Sequence, residues 1–157
     1  MQFKIEQLAL APRNSAQAKQ LLTDMGIGDW SEDTVVAEGQ VFGKPGKNTA
    51  DLSFNYTALK DAYELEVLNY KSGPNWIENR PNVVSHIGMH CTAAELDEWF
   101  KFFTSRGIRV AQSVFTQSHT NPVIDGKRLY NYVIFDTHEI LGVDVKFIVR
   151  INMENPS

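Results

Sequence analysis

The sequence predicts an α+β fold built from two tandem βαβββ modules, residues 1–70 and 83–152, joined by a linker over 71–82 and followed by a short tail, 153–157. Three observations carry this. Val84-Ser85-His86-Ile87-Gly88-Met89-His90 alternates at period two, placing His86, Gly88 and His90 on one strand face and Ile87 and Met89 on the other. A helix signal follows at once: Thr92 with Glu95 spells a capping box, and Leu96, Trp99, Phe100 and Phe103 recur at helical spacing before Gly107 ends the run. The same grammar occurs earlier, where Ile5 to Leu10 leads into Asn14, the stripe Ala18, Leu21, Leu22, Met25, and then Gly26. Gln7 stands where His86 stands.

In chain order, Phe3 to Leu10 reads as a strand, Pro12 and Arg13 as a turn, and Asn14 as the cap of a helix running to about Met25. Asp29 to Asp33 is a polar turn, Thr34 to Phe42 a β segment, and Gly43 to Asn48, with Pro45 and Gly46, a loop. Ala50 to Thr57 sets Leu52, Phe54 and Tyr56 against Asp51, Ser53 and Asn55, the pattern of a strand with one wet face. Tyr63 to Tyr70 is the fourth strand. The linker gathers Ser72, Gly73, Pro74, Asn75, Asn79, Pro81 and Asn82 around Trp76 and Ile77. Beyond it come a strand from Val83, the helix from Thr92, and strands over Arg109 to about Thr116, Leu129 to Phe135 and Gly142 to Ile151. Gln7 and His86 are 79 residues apart, Gly26 and Gly107 81, and Glu66 and Lys146 80, which reads as an internal duplication. Both helix stripes, Leu21-Leu22-Met25 and Trp99-Phe100-Phe103, are expected to pack on outer sheet faces.

Composition narrows the function classes. A chain of 157 residues, 43% hydrophobic, has material for one good core. Net charge is -4 and the basic residues are scattered, so nucleic acid is not an expected partner. The single cysteine, Cys91, excludes an intrachain disulfide framework and a cysteine-rich zinc site, and fits a reducing, cytoplasmic location. The amino terminus enters strand-like sequence directly and no apolar run approaches the roughly eighteen residues of a span, so neither export nor membrane insertion is expected.

With Ser85-His86-Ile87-Gly88 opening the second module and Leu65-Glu66-Val67-Leu68 closing the first, the chain resembles the vicinal oxygen chelate superfamily. That superfamily includes glyoxalase I, fosfomycin and bleomycin resistance proteins and extradiol dioxygenases. The resemblance covers almost the whole chain. It implies that the sheets curl into one cup-shaped half-open barrel, that two copies form a homodimer, and that first and last strands point ligands inward. Glyoxalase-like members hold a divalent metal on a His or Gln, a Glu, a His and a Glu. Three of those positions match, Gln7, Glu66 and His86, and mixed N and O ligands suit Zn, Ni, Mn or Fe. The fourth is Lys146.

Lys146 divides the reading. An ammonium does not coordinate a metal and repels one. Either Gln7, Glu66 and His86 hold the ion with Lys146 aside, or Lys146 pairs with Glu66 in the metal's place and no cofactor is needed. The first version is a glyoxalase-like lyase or isomerase, with Glu66 and Lys146 as catalytic residues beside a metal that polarises vicinal substrate oxygens. The second is a non-catalytic protein that sequesters a small-molecule ligand, as bleomycin-binding members do, or an accessory scaffold. His90 lies inward but about 13 Å along the strand from His86, too far to share a metal, and is a candidate ligand-binding residue together with Phe54, Tyr56, Tyr132 and Trp76. Tyr130 shares the alternation of Tyr132. Glu64 and Asp144 share faces with Glu66 and Lys146, either as further metal ligands or facing solvent. Cys91 is read as a small buried side chain, and His119 and His138 as solvated.

Overall fold

The computed structural model describes residues 1–59, 63–78, 80 and 83–153; the linker positions Asn79, Pro81 and Asn82 and the tail residues 154–157 lie outside them. The described elements run β1 (Gln7–Ala11), α1 (Ser15–Asp24), β2 (Ser31–Val41), β3 (Lys44–Asn55), β4 (Glu64–Ser72), β5 (Val83–His90), α2 (Ala93–Thr104), β6 (Val110–Ser118), β7 (Arg128–Phe135), α3 (His138–Leu141) and β8 (Asp144–Asn152). Asn14 caps α1 by accepting from Gln17 N, and Thr92 and Glu95 close both halves of the capping box on α2. The β2–β3 connection is tighter than the sequence suggests. Phe42 and Gly43 take φ of 46° and 76°, a two-residue hairpin turn of the I′ kind, and Pro45 sits in the ladder opposite Gln40. The stretch read as a loop from Gly43 to Asn48 is therefore the start of β3.

The strands close into a barrel in the order β1-β4-β3-β2-β6-β7-β8-β5, with an antiparallel β1–β5 ladder joining the ends. A half-open cup was expected; the β1–β5 ladder shuts it, and closure removes the unpaired strand edges. Two ladders are parallel, β1 with β4 and β5 with β8. Their registers correspond: Gln7 pairs with Glu64 and Ala9 with Glu66 in one, His86 with Asp144 and Gly88 with Lys146 in the other. These four strands are contiguous, so Gln7, Glu66, His86 and Lys146 all enter one region of the interior.

Apolar packing has two centres. Inside the barrel, Val35, Ala50, Leu52, Leu68 and Ile134 meet Trp76 and Ile77 from the linker. Trp76 is only 3% exposed, and Asn48 Nδ2 donates to Pro74 O, so this connection is part of the core. Outside, α2 lays Leu96, Trp99 and Phe103 on Met89, Val133, Phe135 and Phe147. The ring centroids of Phe103 and Phe135 are 4.4 Å apart and those of Trp99 and Phe147 5.2 Å, both stacked.

The other helix does not behave as its stripe predicts. Leu21 and Met25 are 61% and 68% exposed, Leu22 is half-buried, and α1 contains no buried residue. A polar groove runs beside α1. Its lining includes Ser15, Lys19, Glu32, Thr34, Asp51, Ser53 and Asn69, and Lys19 Nζ pairs with Glu32 Oε1 at 2.7 Å. An apolar stripe gains nothing against a polar wall. Phe103→Ala is therefore expected to cost about 3–5 kcal/mol in urea denaturation, whereas Leu21→Ser stays within about 0.5 kcal/mol. Comparable losses would show that α1 carries core packing after all.

Candidate functional site

Gln7 is the hub. Its side-chain Nε2 donates to Glu64 Oε1, which turns the amide oxygen inward. That oxygen accepts from Lys146 Nζ at 3.2 Å and lies 2.7 Å from His86 Nε2. Because an amide oxygen only accepts, the contact places the imidazole proton on Nε2. Ser85 Oγ stands 3.1 Å from Nδ1, and the Trp76 ring packs 5.7 Å from the imidazole. The close approach depends on Gly88: a Cβ there would come within 3.2 Å of both Cβ and Oε1 of Gln7. A side chain at 88 would displace the hub.

Glu66 completes the group. Its Oε2 lies 3.6 Å from Lys146 Nζ and 3.1 Å from His86 Nε2, yet neither donor is aligned on it for a hydrogen bond. Burial alone would raise its pKa; the Lys146 ammonium foremost, then His86, outweighs burial and holds the carboxyl down at about 2. Burial first, and the Lys146 charge second, push His86 down from 6.5 to about 4, so the ring is neutral at pH 7. Lys146 Nζ also stands 4.1 Å from the centre of the Tyr132 ring, a cation–π contact. All four side chains are buried.

This arrangement does not fit a divalent metal. The ammonium lies against the same two oxygens, of Gln7 and Glu66, that the resemblance assigns to the ion. An ion at the ligand distance of about 2 Å from them would meet it. Among the described residues no group of three or more His, Cys, Asp or Glu side chains could hold a metal. Glu64 and Asp144 do not extend the set. Glu64 is engaged by Gln7. Asp144 is buried and engaged elsewhere: it accepts from Trp76 Nε1 and the backbone N–H groups of Thr137 and His138 and pairs with Arg80 at 3.0 Å.

Above the quartet a cavity of about 370 Å³ opens at one end of the barrel. Gln7, Glu64, Phe54, Tyr56, Tyr130, Tyr132, Asp33, Thr116, Arg128 and His90 are among its lining residues. Of the sequence candidates, Phe54, Tyr56, Tyr132 and His90 come together here. His90 is half-exposed at the rim, 3.0 Å from Glu6 Oε2. Glu66, Lys146 and Trp76 do not line this cavity; they border an internal void of only about 30 Å³, too small for a substrate. His119 is exposed, while His138 and Cys91 are half-buried. The sequence reading missed Asp33, which accepts from Ser118 Oγ at 2.7 Å and Thr120 Oγ1 at 3.1 Å, and undervalued Glu64. Each lies two residues before an inward position, Val35 and Glu66, and that alternation was the signal available. Burial, and then the charge of Glu66, raise the pKa of Glu64.

No protein-family model matches the chain, and no curated protein matches it in sequence. Solved structures do. A hypothetical protein from Bacillus halodurans C-125 superposes with a TM-score of 0.52 at 12% identity, covering 97% of each chain. A variant of Streptomyces coelicolor methylmalonyl-CoA epimerase, in complex with 2-nitronate-propionyl-CoA, gives 0.52 at 12% identity over 99% of this chain and 100% of that one. The likeness is one of fold. It carries neither a glyoxalase-like subtype nor a metal to this chain. No helix among the described residues is long and apolar enough to cross a membrane.

Two measurements test the quartet. His86 titrates near 6.5 when unfolded and near 4 when folded. Its contribution is therefore complete above about pH 6.5 and lost as pH falls to about 4, on the order of 3 kcal/mol. Urea denaturation across that window should show the loss, and His86→Gln should flatten it; an unaltered slope in the variant would refute a neutral buried ring. Lys146→Met is expected to cost about 3 kcal/mol at pH 7, because it strands the Glu66 carboxylate, with the deficit shrinking in acid as Glu66 protonates. A pH-independent deficit would point to lost packing instead.

Proposed function

We propose that this protein binds a small molecule in the cavity at the barrel mouth and does so without a metal, the Lys146 ammonium standing where metal-dependent relatives of the fold carry an ion. The observation that carries the reading is the double engagement of Lys146, by Gln7 Oε1 at 3.2 Å and by Glu66 Oε2 at 3.6 Å, directly beneath a cavity of about 370 Å³ that neither Lys146 nor Glu66 lines. A charge-neutral plug holds the interior, and the aromatic and polar mouth is left for a ligand. This is the sequestration reading, with Phe54, Tyr56, Tyr132 and His90 as ligand contacts and Trp76 as a structural residue. The matched registers of the two parallel ladders support a tandem βαβββ origin for the barrel.

A second reading keeps the isomerase chemistry of the epimerase neighbours, and Glu64 favours it. It is a cavity-facing carboxylate whose pKa is raised by burial and by Glu66, as a proton-transfer base requires. Exchange of the α-proton of methylmalonyl-CoA in deuterated water, lost in Glu64→Gln, would establish this reading over pure binding.

The metal-free premise is tested by elemental analysis of chelator-free protein, with thermal shift against Zn, Ni, Mn and Fe. Substoichiometric metal and no shift are expected for the natural chain. Lys146→Glu, which restores the anionic position, should gain about one ion per chain and a raised Tm. About one metal per natural chain, lost in Gln7→Ala or His86→Ala, would overturn the premise.

A further inference from the structure

We propose that the mouth cavity is an organic-cation site, taking a small molecule with a protonated or quaternary amine whose charge is met by Glu64 and Asp33 and by the faces of the surrounding tyrosines. The inference rests on the small-molecule reading above and names its ligand class.

Two carboxylates line the cavity, and among the described residues neither is ion-paired: Gln7 donates to Glu64, and Asp33 is held by the hydroxyls of Ser118 and Thr120. Hydroxyl and amide donors orient a carboxylate without cancelling its charge. Arg128 is the one described Lys or Arg side chain in the lining, against two carboxylates, and the Lys146 charge below is offset by Glu66. The walls suit a cation as well. Phe54 and Tyr56 lie with ring centroids 6.3 Å apart and planes 22° from parallel, and Tyr130 and Tyr132 are 5.8 Å apart at 31°. Their π-faces carry partial negative charge, and one of them is already used in this way, since Lys146 Nζ sits 4.1 Å from the Tyr132 centroid. Thr116, whose buried Oγ1 has no hydrogen-bond partner among the described residues, lines both this cavity and the inner void. Burial and the neighbouring carboxylate raise the pKa of Glu64, and the charge of a cation docked beside it favours the ionised form against them.

The test is a titration of the full chain with benzyltrimethylammonium, benzyl alcohol and benzoate, followed by calorimetry and by amide chemical shifts on β3 and β7. The cation is expected to bind about ten-fold tighter than the alcohol, and benzoate more weakly than either. Glu64→Gln and Asp33→Asn, both near-isosteric, should each weaken the cation about five-fold or more while leaving the alcohol within about two-fold. The comparison of the three compounds on the natural chain stands even if a variant fails to fold. Alcohol or benzoate binding at the mouth as tightly as the cation would overturn the cation assignment and leave the small-molecule reading standing. A broad fragment screen with no shifts at the mouth would overturn both.

Discussion

An ammonium sealed inside a closed barrel has to be neutralised where it stands, and that requirement organises the interior of this protein. At 3.6 Å and an effective dielectric near 20, attraction between Lys146 and Glu66 is worth roughly 5 kcal/mol, against a desolvation cost of several kcal/mol for each ion. The pair alone therefore comes close to breaking even. Its surplus comes from groups around it: the Gln7 amide oxygen, the Tyr132 ring and a histidine kept neutral so as not to add a second positive charge. Gln7 in turn has its orientation set by Glu64 and its space by Gly88. One lysine thus bears directly on four neighbours, Glu66, Gln7, Tyr132 and His86.

This arrangement divides the barrel into parts with different tasks. The quartet is buried, electrically balanced and bordered by a void of about 30 Å³. The mouth holds the cavity, the aromatic side chains and two carboxylates that have no ion pair among the described residues. Gln7 belongs to the quartet and lines the mouth, and Tyr132 lines both the mouth and the inner void. The inner cluster acts as a structural plug that also sets the electrostatics of the wall above it.

The two longer helices are used unevenly. α2 anchors a dense outer core of stacked aromatic rings, while α1 lies beside polar side chains and leaves Leu21 and Met25 in solvent. The linker departs in the other direction, since Trp76 and Ile77 are buried in the inner core and Trp76 donates to a buried aspartate. Neither outcome follows from local pattern, because a stripe or a tryptophan states only that burial is favourable and not what will be found opposite.

Sequence by itself determined the order of the strands and of the two longer helices and the capping of the second, though not the short α3, and the resemblance it carries named the four residues that converge inside the barrel. Period-two and helical spacings are local, and the separations of about 80 residues between Gln7 and His86 and between Glu66 and Lys146 can be counted without coordinates. It also posed the question that matters, by setting Lys146 where an anionic ligand was expected. Tertiary structure decided the rest. Whether Lys146 turned aside or met Glu66 depended on a distance of 3.6 Å across two strands 80 residues apart in the chain. Closure depended on the β1–β5 ladder, and the value of Glu64 and Asp33 on which end of the barrel opened. These are relations between side chains on different strands, and electrostatics in a barrel is set by such distances and by burial, neither of which a linear spacing encodes.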